Sequence, residues 1–207
     1  MDELSFAPRR FSCEPAVNLA KKLSDISPGD LSKVLFTTGG SDAIEVALKL
    51  ARAATGRYKT ISFWDSFHGA GYGASSVGGE QLFRSDIFGP LIPGSEHIAP
   101  FDCYRCPYGY KDLNGKPQLD ICEITCAKFV NYVLEKEGDI AAVIAEPARA
   151  VPYIPPPGFW SIVRNACNEH GALLIFDEIP TGLGKSGKMF ACEHDETVPD
   201  ILVIGKA

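Results

Sequence analysis

Two apolar runs in this sequence end in charge. Leu173-Leu174-Ile175-Phe176 is followed by Asp177-Glu178, and Ile201-Leu202-Val203-Ile204 by Gly205 and Lys206. Read as buried strands, they place a carboxylate and an amine at the edge where open α/β sheets bind ligands. An unpaired charge there would be costly, so each calls for a partner. An amine that can form a Schiff base with an aldehyde, beside a carboxylate that can face a protonated ring nitrogen, is what pyridoxal phosphate chemistry requires. Each residue also has an ordinary explanation: Asp177 as a solvated acid in the turn after a strand, Lys206 as a snorkelling surface lysine.

A second pair of stretches could serve the same ligand. Gly39-Gly40-Ser41-Asp42 opens a helical pattern, so backbone N–H groups and the Ser41 hydroxyl would stand where a helix start favours phosphate. Ser or Asp after glycine is equally a plain helix cap. The stretch matches neither nucleotide fingerprint, G-x-G-x-x-G or G-x-x-x-x-G-K-[ST]. Phe67-His68-Gly69 follows another strand and could lay a ring against a flat cofactor; in isolation, Phe67 reads as core.

These residues need a scaffold of alternating elements. Strands are expected at residues 34–38, 60–64, 140–145 and 173–176, and at the run from Ile201. Ile44, Ala47, Leu48 and Ala51 mark one face of a helix that ends at Gly56. Further helices are expected from Cys122 to Glu137 and, after Pro155-Pro156-Pro157-Gly158, through about His170, with one helical turn near residues 80–84 in an otherwise loop-like 67–94. Apolar strands alternating with helices predict an α/β fold with a mainly parallel, mixed sheet flanked by helices. A 207-residue chain that is 45% hydrophobic has ample core. A net charge of −6 argues against nucleic acid or an anionic membrane as the main partner. An acidic start and seven cysteines fit a soluble, cytoplasmic protein in a reducing compartment.

Taken together, the motifs resemble the class III (ω-amino acid) aminotransferases of pyridoxal phosphate fold-type I, over nearly the whole chain. Thr38-Gly39-Gly40-Ser41-Asp42-Ala43 resembles the family's phosphate-binding turn, with Gly40 and Ser41 at the phosphate, and Phe67-His68-Gly69 its aromatic-His-Gly motif, with the aromatic ring on the cofactor. Glu146-Pro147 is similar to its Glu-Pro pair, whose acid lies near cofactor and substrate. Asp177-Glu178-Ile179-Pro180-Thr181-Gly182 resembles its most characteristic block, with Asp177 at the pyridine nitrogen and Ile179 packed on the ring; Lys206 falls at the cofactor lysine. The resemblance implies pyridoxal 5'-phosphate as cofactor, an amine donor and a small keto-acid acceptor as partners, and a homodimer at full length. It also implies that residues 1–207 form a partial large domain lacking the family's N-terminal segment and small C-terminal domain, and are inactive by themselves.

The departures from the pattern bear on substrate. Pro180 stands where many members carry glutamine, and Ala70 where ornithine- and 4-aminobutyrate-type members carry an arginine that pairs a substrate carboxylate. Pyruvate is therefore the expected acceptor rather than 2-oxoglutarate, with Arg149 as a possible substitute for the missing cation. A racemase or ammonia-lyase on the same scaffold would use the same lysine and aspartate, and a fragment without turnover is the third alternative. Cys103-x2-Cys106 and Cys122-x3-Cys126 have spacing that suits a tetrahedral zinc site, but free thiols are the expectation, since the family needs no metal.

Overall fold

The computed structural model describes residues 11–149 and 153–206. The chain divides into two compact units, Met1–Phe36 and Thr37–Ala207. The described part of the first holds one helix, α1 (Glu14–Ile26), with a proline in its first turn and no buried side chain. It stops at Ser27, whose N–H and hydroxyl both donate to the Leu23 carbonyl, at 3.0 and 2.7 Å.

The second unit is built on five parallel strands: β1 (Lys59–Phe63), β2 (Ser95–Ile98), β3 (Ile140–Ala145), β4 (Leu173–Asp177) and β5 (Ile201–Val203), in the order β2-β1-β3-β4-β5. The sheet is wholly parallel among the described residues, where a mixed one was allowed for. The order reverses at β1, which leads out to β2 on one side while β3 lies on the other. The carboxyl edge at such a reversal is where an open sheet leaves a crevice.

The pleat explains how both faces are buried. Ile175 and Val203 pack with Ala142 and Ile144 against Ile44, Ala47, Leu48 and Ala51 of α2 (Gly40–Thr55) and against Ala74 and Val77 of α3 (Tyr72–Val77). Phe176, between Ile175 and Asp177, faces the opposite side and meets Trp160 of α6 (Phe159–His170) at 4.7 Å between ring centroids. Phe63, Phe101 and Phe159 complete that aromatic cluster. Each such buried ring contributes about 1.5–3 kcal/mol. The Trp160 indole N–H donates to the Pro147 carbonyl at 2.9 Å, so the aromatic core also pins the turn after β3.

Two expected elements differ. Residues 34–38 form no strand: Leu35 and Phe36 are 64% and 49% exposed, and no described strand pairs with them. Strand propensity without a neighbouring ladder is not enough, and the Thr38 N–H and hydroxyl turn instead to the Asp42 carboxylate at 3.2 and 3.1 Å. The helix expected from Cys122 is two, α4 (Leu119–Cys122) and α5 (Thr125–Glu137), broken by Glu123 and Ile124 at φ 46° and 54°. At the break the Thr125 hydroxyl satisfies the Cys122 carbonyl in place of a helical N–H.

Candidate functional site

The carboxyl edge of the sheet and the start of α2 enclose a cavity of about 670 Å³. All eight residues singled out from the sequence line it: Gly40 and Ser41 at the helix start, Phe67 and His68 after β1, Glu146 after β3, Asp177 and Ile179 at the end of β4, and Lys206 after β5.

Strand alternation carries Asp177 back to the α2 side, one residue past Phe176. Its carboxylate is 2% exposed and is held from two directions. Oδ1 accepts the Ile179 N–H at 3.1 Å, and Oδ2 lies 2.9 Å from His68 Nδ1. An ionised carboxylate only accepts, so Nδ1 carries the proton in this pair. His68 is itself 2% exposed, and its Nε2 is buried with no hydrogen-bond partner among the described residues. His68 is thus a buried support of Asp177. The adjacent acid has another job: Glu178 is fully buried and accepts from the Thr181 hydroxyl and the Ala191 and Cys192 N–H groups at 3.1, 2.6 and 2.8 Å, stapling the loop after β4.

Glycines let the corner between the start of α2 and the loop after β1 close. Gly69 has φ +127°, and a Cβ there would fall 2.4 Å from Ser41 Oγ and 2.8 Å from Ser41 Cα. Its neighbour Ala70 donates its N–H to Ser41 Oγ at 3.0 Å, joining the loop after β1 to the first turn of α2. A Cβ at Gly40 would fall 2.8 Å from Ile179 Cδ1, and one at Gly205 3.4 Å from Ile179 Cγ2, so Ile179 sits wedged between the two chain segments. Phe67 is half-buried, its ring 4.7 Å from that of Phe83 and tilted by 52°.

Glu146 is 5% exposed, and burial pushes its carboxyl up; the charge of Asp177 adds to this, while His68 and Arg149 oppose it. Arg149 Nε donates to Glu146 Oε2 at 3.3 Å and Nη2 to Glu80 Oε1 at 2.6 Å. Lys206 departs from expectation in its setting. β5 ends at Val203, and Lys206 lies beyond Ile204-Gly205 as an exposed residue of the cavity wall, its carbonyl accepting from Lys185 Nζ at 2.6 Å. Glu80 and Phe83 were missed in the sequence because they belong to no motif; only their place in a glycine-rich loop after a strand hinted at a ligand.

Cys103, Cys106, Cys122 and Cys126 converge on a separate cavity of about 20 Å³. Burial pushes the Cys126 thiol up to about 12, and Cys103 also rises through burial and its neighbouring thiols. Among the described residues, no group of three or more His, Cys, Asp or Glu stands ready to hold a metal, and no helix is long and apolar enough to cross a membrane.

The sequence model of the family Aminotransferase class-III matches residues 1–207. The chain belongs to the class III aminotransferases. Pyridoxal phosphate is the cofactor of this family. One relative, an (R)-1-hydroxy-2-aminoethylphosphonate ammonia-lyase of Vibrio splendidus, is 45% identical over 214 residues, covering 100% of this chain and 44% of its own. A leucine/methionine racemase of Thermococcus litoralis is 39% identical, covering 95% and 43%. The taurine:2-oxoglutarate aminotransferase of Bifidobacterium kashiwanohense, solved with pyridoxal phosphate and glutamate, superposes with a TM-score of 0.87 at 32% identity, over 97% of this chain and 45% of that one. The chain thus spans less than half the length of these relatives.

Proposed function

We propose that the whole protein carrying this sequence uses pyridoxal phosphate to move an amino group from an ω-amino acid or amine to a small keto acid, with pyruvate as the acceptor. The observation that carries this reading is the buried Asp177 carboxylate, oriented by His68 and the Ile179 N–H in the wall of a cavity that Lys206 also lines. The residues fit the cofactor: the Gly40-Ser41 helix start offers phosphate donors at the cavity wall, and the absence of a Cβ at Gly40 and Gly69 lets that helix start close against Ile179 and against the loop after β1.

In this reading the bound cofactor supplies an electron sink for the carbon next to the substrate nitrogen. Lys206 Nζ would be the residue that holds the cofactor, and its amine would serve as the base that moves the substrate's proton. Asp177 would keep a proton on the ring nitrogen, with the His68 Nδ1–H aiming its carboxylate. Ser41 and the first N–H groups of α2 would hold the phosphate, Ile179 and Phe67 would pack on the ring, and Glu146 would serve the cofactor and substrate.

A second reading is favoured by the 45% identity to an ammonia-lyase: elimination of ammonia with no acceptor. Substrate profiling of the whole protein with and without a keto acid separates the two. Amine consumption that depends on added pyruvate supports transamination; ammonia release without it replaces that reading with the lyase.

A further inference from the structure

Apart from Lys206, Arg149 is the one lysine or arginine among the described residues in the cavity wall. It is placed by the turn after β3, three residues beyond Glu146, and its side chain is only 8% exposed. Its guanidinium lies over the Tyr153 ring, 5.3 Å from the centroid. Two carboxylates share it unequally: Glu80 at 2.6 Å and Glu146 at 3.3 Å. The two differ in setting as well as distance. Glu146 is buried in the wall, whereas the Glu80 side chain is 31% exposed and reaches Arg149 from the loop after α3.

One guanidinium between two carboxylates is over-neutralised, and the more accessible of the two can be exchanged. A planar fork of N–H donors is suited to a carboxylate or another oxyanion, and trading one carboxylate for another preserves its charge-assisted hydrogen bonds. Since Lys206 is committed to the chemistry, Arg149 is left as the fixed cation of the cavity.

We propose that Arg149 determines specificity by receiving the anionic group of the substrate, and that Glu80 is its resting counter-ion, displaced when that group enters. This rests on the proposed function and sharpens it: the substrates are amines and keto acids that carry an oxyanion, and neutral amines bind with Glu80 still in place.

The test compares β-alanine with propylamine, which share a carbon skeleton and differ in the carboxylate, and titrates propanoate as an unreactive anion into the whole, cofactor-loaded protein by calorimetry. In Arg149→Met the ratio of kcat/KM for β-alanine over that for propylamine should fall about a hundredfold, mostly through KM, as expected when one partner of a desolvated charge pair is removed. Propanoate binding should be lost with it. Glu80→Gln, a change at the accessible rim, should bind propanoate about tenfold more tightly, one competing charge having gone. Arg149→Lys keeps the charge without the fork and should be intermediate, which gives an answer even if Arg149→Met folds poorly. An unchanged ratio, with propanoate affinity indifferent to both residues, overturns the proposal while leaving amino transfer intact. Propanoate binding that depends on Arg149 in a protein that transfers no amine upholds the anion site and overturns the proposed function instead.

Discussion

Replacing Gly69 with alanine tests whether the corner between β1 and α2 is built on close backbone approach. At φ +127° a side chain is strained, at a cost of about 1–3 kcal/mol for a sparsely allowed backbone conformation. The new Cβ would also lie 2.4 Å from Ser41 Oγ and 2.8 Å from Ser41 Cα. The hydroxyl can rotate away, but the Cα belongs to the first turn of α2 and cannot, so overpacking adds about 1–3 kcal/mol. The expected loss is about 2–6 kcal/mol, a large share of the stability of a typical domain. Relief would come only by moving Ser41 off the Ala70 N–H, which also disturbs the proposed phosphate anchor. The assay is urea denaturation of Gly69→Ala beside Gly39→Ala, where an added Cβ meets nothing within 4 Å and the loss of glycine at the cap of α2 should cost no more than about 1 kcal/mol. Equal midpoints for the two variants would refute the reasoning, as would Gly69→Ala lying within about 1 kcal/mol of the unmodified protein.

Other consequences can be checked in the same protein. Asp177→Ala removes the buried carboxylate that pairs with His68, and should cost about 3–5 kcal/mol in kcat/KM, the range for stripping one partner from a buried charge pair; a variant retaining most of its turnover would show that another group does this work. Because burial raises the Glu146 carboxyl, the folded state keeps a proton that the unfolded chain loses first, so this group's contribution to stability falls as pH rises from the ordinary carboxylate range through the raised value. Glu146→Gln should remove that slope; parallel midpoint-versus-pH curves for variant and parent would contradict it. With one amine donor, kcat/KM for pyruvate should exceed that for 2-oxoglutarate, given Ala70 in place of an arginine, and a clear preference for 2-oxoglutarate would defeat that expectation.

What was legible in the sequence was what one strand or one helix determines locally. β3 is buried on both faces along its whole length, so its apolar run coincides with the element, Ile140–Ala145. α2 carries its core face at helical spacing and ends at a left-handed Gly56, which is why its range was readable. β2 was missed because Ser95-Glu96-His97-Ile98 is a polar edge strand with one buried residue, and α3 because Tyr72–Val77 is glycine- and serine-rich. Residues 34–38 failed the other way, with strand-like composition and no described partner. At the site, Asp177 could be found from where an apolar run stops and Gly40 and Ser41 from where a helical pattern starts, whereas Glu146 was found only through the family resemblance. The His68–Asp177 bond spans 109 residues and the Arg149–Glu80 pair 69, and no local pattern encodes either.

In the proposed function this cavity holds pyridoxal phosphate, with Lys206 as the residue bonded to it. Borohydride reduction of the cofactor-loaded whole protein, followed by peptide mapping, tests it most directly. The pyridoxyl group should be found on Lys206; finding it on Lys185 or Lys188, or recovering no modified peptide at all, would contradict the account.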